Sequence, residues 1–391
     1  MLDSPVRGFL VGEFETRLER LHKLMSTKRL AGILLMSEPE VRYFTGFLTQ
    51  FWQSPTRPWF LFIPVDKKPI AVIPEIGAAL MRTTWIDDIR TWGAPWPKDD
   101  GISLLQDLLD PLLKSGARLG VMKGHETSLR MPLGDYERLM SGLAGIEVVD
   151  ATDILRNLRM VKSAAEIEKI AYICGITSRT FARAGDIFHK GQSLAEAFRA
   201  FRIECLTQGA DDVPYLAGGA DQGGYCDIIS PPSNRSLESG DILMFDTGAT
   251  FDGYFCDFDR NYAIEQADDL SRRVYDTLWR ATEAGLSTAR PGSTCRDLFQ
   301  AMQNVISEMD DQGGEVGRYG HGLGMQLTEQ PSHAVFDDTV LEENMVITLE
   351  PSLNYSEGRI MVHEENLVVQ NGKPRLLSVR ATPELPIIGV S

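Results

Sequence analysis

Apolar residues recur at helical spacing at Phe14, Leu18, Leu21 and Leu24, which predicts an amphipathic helix over 14–25. The pattern then changes. AGILLMS (31–37) is an unbroken apolar run bounded by polar residues, and WFLFIP (59–64) and PIAVIP (69–74) repeat it. Runs of this length predict buried strands. LGVMK (119–123) and IEVVD (146–150) read as two more, on either side of a helical stretch. Strands alternating with helices predict an α/β domain over residues 1–155.

The pattern beyond residue 155 differs. Ser163-Ala-Ala-Glu166 and Ser193-Leu-Ala-Glu196 are capping boxes, which satisfy orphan backbone donors at a helix start. Apolar spacing after each box predicts a helix. A third helix is predicted from Leu270 to Ala289, stopped by Pro291-Gly292, and a fourth from Cys295 to Met309. DILMFD, GYFCDFDRNYAI, MVITLEP and ENLVVQ read as strands, with TGATFDG (247–253) as a long turn joining the first two into a hairpin. This mixture of helices and antiparallel strands predicts an α+β domain over 156–391.

Composition sharpens the division. Five of the six tryptophans lie within the first 96 residues. Most candidate metal ligands lie after residue 240. The formal net charge of -16 argues against a nucleic-acid partner, which needs a basic surface. The chain contains no run of the roughly 20 uncharged apolar residues that a membrane helix requires. The N-terminus lacks the charge-then-apolar order of a signal peptide. The five cysteines are odd in number, scattered and without a CxxC pair, so reduced thiols in a cytoplasmic protein are expected.

Several polar residues stand where strands end. Asp246 closes DILMFD, and Asp257 follows eleven residues later; alternation puts Asp257 and Asp259 on one face. Carboxylates on an inward face are costly unless a cation neutralises them. Read singly, Asp246 also suits a turn cap and Asp257 a surface position. His321 sits in GHGLG, where three glycines imply close backbone approach. Glu350 ends an apolar strand; Glu364 and Glu365 precede another, and only one of that pair can share its inward face. Four carboxylates and one imidazole suit hard or borderline divalent ions: Mn, Fe, Co or Zn. Bridging carboxylates would hold two such ions about 3.5–4 Å apart.

With these residues in view, the sequence resembles the creatinase/prolidase/methionine aminopeptidase group, whose catalytic domain is the pita-bread fold. The resemblance rests on DTGATFDGYFCDFDR (246–260), GHGLGM (320–325), ITLEPS (347–352) and EENLVV (364–369). RNLRMVKSAAEIEKI (156–170) is similar to the segment joining the two domains there, and VRYFTGF (41–47) to the N-terminal domain's signature. The resemblance implies an Xaa-Pro dipeptidase-like hydrolase in which metal-bound hydroxide attacks an amide carbonyl. It implies two divalent ions, Mn foremost, on Asp246, Asp257, His321, Glu350 and Glu364, with Asp257 and Glu364 bridging. Glu350 would also shuttle a proton, making it and His321 the catalytic pair. It further implies a small peptide or small-molecule substrate and a homodimer, in which the N-terminal domain reaches towards the partner's site. The aromatic stretch around Trp52, Arg57 and Trp59 is the candidate for that role.

Two departures bear on substrate. The family's peptidases carry a histidine seven residues after the ligand histidine, where this chain has Thr328, and another shortly before the first aspartate strand, where GGYCDIISPPSNRSLESGD has none. Those imidazoles help bind the substrate carbonyl and stabilise the tetrahedral intermediate. Asp259-Arg260 also replaces the usual Thr-Arg. Tyr225, Asp227, Thr328, His333 and His363 are the candidates to stand in near the substrate. The altered set leaves room for a metal-dependent lyase or small-molecule amidohydrolase on the same fold, like the family's dimethylsulfoniopropionate lyases and creatinases. A non-catalytic binding protein is the third alternative.

Overall fold

The computed structural model describes residues 4–54, 57–309, 317–356 and 358–389. They form two compact units, dividing between Arg159 and Met160. The expected boundary at 155/156 falls inside a helix, Thr152–Met160.

The first unit is built on a six-stranded sheet. Its strands are β1 (Gly32–Leu35), β2 (Phe60–Pro64), β3 (Ile70–Pro74), β4 (Asp88–Trp92), β5 (Arg118–Val121) and β6 (Glu147–Asp150), in the order β4-β3-β2-β1-β5-β6. β1, β5 and β6 run parallel, while β2 is antiparallel to both β1 and β3. β1, β2 and β3 are buried at every position, as their continuous apolar runs require. β4 was not legible, because Asp88, Arg90 and Thr91 break the apolar pattern of a strand that stays partly exposed. The predicted first helix spans Val11–Thr27 and buries Phe14, Leu18 and Leu21.

The second unit carries two larger sheets and a hairpin. One sheet contains β7 (Asp212–Gln222), β8 (Asp241–Phe251), β9 (Tyr254–Phe255), β10 (Phe258–Ile264) and β18 (Ile387–Ile388), in the order β18-β10-β8-β7 with β9 on β8. The other contains β11 (His321–Gly322), β12 (Glu329–Ser332), β13 (Val346–Leu349), β16 (Glu365–Val368) and β17 (Arg375–Leu376), in the order β12-β11-β13-β16-β17. β14 (Ser352–Ser356) and β15 (Arg359–Val362) form the hairpin. The four predicted helices are Ala164–Phe181, Leu194–Gln208, Asp269–Thr288 and Cys295–Ile306. Both capping boxes form, at Ser163 and Ser193. The last two helices pack on the sheets through Leu278, Ala281, Leu298 and Met302, against Ile347, Leu349 and Leu367.

One local expectation is corrected. TGATF is not a turn: β8 continues through Phe251, and the reversal is the tight Asp252-Gly253 pair, where both residues have positive φ. The polar threonines and the glycine of this stretch disguise a strand that is buried on both faces.

Candidate metal centre

β11, β13 and β16 are neighbours, and their register brings three predicted residues to one end of the sheet. Leu349 pairs with Glu365, so the residues just beyond, Glu350 and Glu364, leave their strands side by side. Gly322 pairs with Ile347, and His321 N donates to Thr348 Oγ1 at 3.1 Å, which fixes the imidazole at the same end. Gly320 makes this possible. It has φ of 136°, and a Cβ there would overlap the Thr348 carbonyl and the His333 ring.

The other sheet contributes the aspartates. Asp246 lies within β8 opposite Asp259 of β10. Asp257 sits in the break between β9 and β10, outside both strands. Its backbone is held by Asn366: Asp257 N donates to Asn366 Oδ1 at 2.9 Å, and Asn366 Nδ2 donates back to the Asp257 carbonyl. One β16 residue thus clamps a loop that strand geometry does not hold.

The result is a buried constellation. Ligand atoms of Asp257, His321 and Glu364 all lie within 4.8 Å of one another. His321 Nε2 is 3.5 Å from Asp257 Oδ2 and 3.7 Å from Glu350 Oε1. His321 Nδ1 is 2.8 Å from the Gly322 carbonyl. A carbonyl only accepts, so Nδ1 carries a proton, and Nε2 is the ring atom turned towards the carboxylates. Asp246 Oδ1 and Glu364 Oε1 are buried without hydrogen-bond partners. Orphaned carboxylate oxygens buried together beside an imidazole are costly unless a cation fills the space. The residues therefore fit divalent metal.

Electrostatics agree. Burial raises Asp246 to about 7, with Glu350 adding to it, and burial likewise raises Glu350 to about 7. Asp257 and Glu364 are pushed well up, first by burial and then by neighbouring carboxylates. Glu365 behaves oppositely. It faces away, is contacted by Arg260, Arg380 and Ser378, and is held down by those arginines against its burial. The structure thus separates the two adjacent glutamates, one to the cluster and one to a buried ion-pair network.

Further residues position the cluster. Asp259 Oδ1 accepts from Glu364 N at 2.6 Å, and Tyr215 donates to Asp246 Oδ2 at 3.1 Å. The alternation of CDFDR placed Asp259 inward, but nothing in the sequence indicated Asn366. Tyr215 belongs to β7, whose Gly218-Gly219 pair hides a strand pattern.

Several expected substrate residues are corrected. Tyr225 is 1% exposed, and its hydroxyl donates to Asn261 Oδ1 and accepts from Val362 N. Asn261 in turn donates to Asp259 Oδ2, so Tyr225 braces the cluster from the core. His363 is buried against Tyr275, with Nδ1 on Thr282 Oγ1. His333 is fully buried. Burial pushes both imidazoles down to about 3, so they are neutral rings of the core. Asp227 folds back on Ser230 and Ile229 N. Thr328 is half-buried just ahead of β12. In the first unit Trp52 is 7% exposed, packed on Trp59 with the Arg130 guanidinium 4.8 Å above its ring; it offers no aromatic surface. Arg57 is half-buried, 5.6 Å from the Phe51 ring. Residues 55 and 56 of that stretch lie outside the described residues.

A sheet-bound cluster of carboxylates around one imidazole, in a two-unit α/β plus pita-bread chain, defines a metal-dependent hydrolase. Residues 168–371 match Metallopeptidase family M24, and residues 17–161 match the Creatinase/Prolidase N-terminal domain. The chain belongs to the M24 metallopeptidase family. It is similar to an Xaa-Pro dipeptidase of Pyrococcus horikoshii, 28% identical and covering 92% of this chain and 96% of that one. It is also similar to a probable dipeptidase PepE of Mycobacterium tuberculosis, 27% identical over 93% of each chain. Among solved structures, dipeptidase PepE from Mycobacterium ulcerans superposes with a TM-score of 0.85 at 26% identity, covering 98% of this chain and all of that one.

Proposed function

We propose that this chain is an Xaa-Pro dipeptidase-like hydrolase that uses two divalent ions, Mn foremost, held by Asp246, Asp257, His321, Glu350 and Glu364. The observation that carries the reading is the convergence of His321 Nε2 with orphaned carboxylate oxygens in one buried space. Bound ions would supply Lewis acidity, activating water and polarising an amide carbonyl. The chain's own groups supply the rest. Asp257 and Glu364, the most deeply buried carboxylates of the set, suit the bridging positions. Glu350 keeps about a quarter of its side chain exposed and so can exchange a proton with substrate and solvent. The names of the similar dipeptidases support an Xaa-Pro substrate.

A second reading, a lyase or small-molecule amidohydrolase, is favoured by one observation. His333 and His363 are neutral rings of the core, so neither replaces the imidazole that Thr328 displaces. One panel separates the two readings. Protein reconstituted with Mn, Co, Fe or Zn is assayed on Xaa-Pro dipeptides, small zwitterionic amides and sulfonium compounds. A dipeptide with the highest specificity constant supports the first reading; sulfonium cleavage without dipeptide turnover overturns it.

We also propose a cytoplasmic homodimer. All five cysteines are free, four of them buried, which suits a reducing compartment. No helix among the described residues is long and apolar enough to cross a membrane. Dimerisation rests on the family resemblance, and a monomer by light scattering would remove it.

A further inference from the structure

The cations around the metal centre are not equivalent. Arg260 is saturated by the carbonyls of Asp259, Glu364 and Val379 and by the Glu365 carboxylate. Arg380 is held by Glu365 and the Trp279 carbonyl. Lys162 is buried against Glu329. Arg318 stands apart. Its Nε is 4.0 Å from Glu350 Oε1, Nη1 reaches Ser332 Oγ only at 3.4 Å, and 30% of its side chain is exposed. Among the described residues it is therefore a loosely held guanidinium, beside the carboxylate placed to move the proton.

The four carboxylates of the cluster would balance the charge of two divalent ions, so a guanidinium beside Glu350 is tolerated and keeps its donors for an anion that develops on substrate. The sequence position that carries an imidazole donor in the peptidases it resembles holds Thr328 here, a single neutral hydroxyl. We propose that Arg318 is a catalytic residue, donating to the anionic oxygen that forms on the scissile carbonyl. This rests on the hydrolase reading above.

The chemistry balances without a further reactant. Water oxygen bonds to the carbonyl carbon, and its proton passes to Glu350. The C=O π pair moves onto the carbonyl oxygen, which Arg318 faces. Collapse restores the C=O bond and breaks C–N, and the Glu350 proton goes to the leaving nitrogen. A guanidinium keeps its charge throughout and presents several fixed donors, so it can fill two missing donor positions at once.

The test uses the full chain, reconstituted with Mn, as wild type, Arg318→Gln and Arg318→Lys. The probe is a phosphinic analogue of an Xaa-Pro dipeptide, which is tetrahedral and anionic. Calorimetry should show Arg318→Gln binding it roughly 100-fold more weakly, the usual effect of losing one oxyanion donor. Arg318→Lys should recover part of the loss. Metal content and thermal unfolding should match wild type, and kcat should fall with KM little changed. Equal analogue binding by wild type and Arg318→Gln, no analogue binding by wild type, or a loss that follows a loss of metal would each overturn the proposal. Failure of the dipeptidase reading is separate: wild type would cleave no Xaa-Pro dipeptide, yet analogue binding would still depend on Arg318.

Discussion

Asp257 and its neighbours show how much a single side chain can carry. Four carboxylates crowd around one imidazole, and burial pushes their protonation upward, Asp246 and Glu350 to about 7. In the metal-free protein these acids bind protons more tightly folded than unfolded. Their contribution to stability is therefore present at low pH and lost as pH rises from the ordinary carboxylate range through about 7. Metal must displace those protons, so affinity should climb by about tenfold per pH unit for each proton released, and flatten above their folded values. Equilibrium dialysis against Mn across the range checks it, and a pH-independent affinity would mean the carboxylates are already ionised without metal. Asp257→Ala should lose most bound metal, whereas Glu342→Ala, an exposed control, should lose none; elemental analysis decides. The candidate ligands stood out in the sequence as polar residues beside apolar runs, although Asp246 proves to be mid-strand and Asp257 to lie in a break. Tyr225, His333 and His363 misled because sequence gives residue type and not burial: His333 is fully buried and packs against Gly320.

Strands set where these residues point, and strand grammar explains both successes and misses. β1, β2 and β3 are apolar throughout, and β13 is broken only by Thr348, so all four are legible. β7 was missed because glycine and proline interrupt it, and β8 was shortened because Thr247-Gly-Ala-Thr250 resembles a turn. That misreading hid the true geometry, in which Asp246 is mid-strand and Asp257 lies in a break held by Asn366. Asn366→Ala would leave the Asp257 amide and carbonyl without their buried partners. Losses of outer supports typically lower metal affinity about 10–100-fold. Dialysis should show that drop with the ligands intact, and unchanged affinity would mean that the Asn366 clamp does not hold Asp257 in place for metal. Gly320→Ala tests the same end of the sheet. Its Cβ meets the Thr348 carbonyl and the His333 ring, and its backbone conformation costs a side chain about 1–3 kcal/mol before any clash. Thermal unfolding should fall markedly, and an unchanged midpoint would mean the strands part without cost.

At the scale of the whole molecule, the division between units was legible only approximately. The alternating first part and the capping boxes after residue 160 signal two folds, but helix Thr152–Met160 carries one apolar face throughout, so no composition shift marks where one unit ends. Each unit has its own core. Leu34, Phe60, Phe62, Val72, Leu105 and Leu119 build the first; Ile242, Met244, Leu278, Ile347, Leu349 and Leu367 build the second. Every candidate metal ligand, and every residue that braces one, belongs to the second. Met160 also marks the start of features internal to it: Val161 bridges to Met345, and buried Lys162 pairs with Glu329. A fragment beginning at Met160 should therefore fold cooperatively by circular dichroism and bind Mn with the stoichiometry and affinity of the full chain. Any role of the first unit in substrate choice would then appear as altered KM at unchanged metal content. A fragment that unfolds, or that folds without binding metal, would show that the centre depends on residues before Met160, and the assignment of the whole site to the second unit would fall.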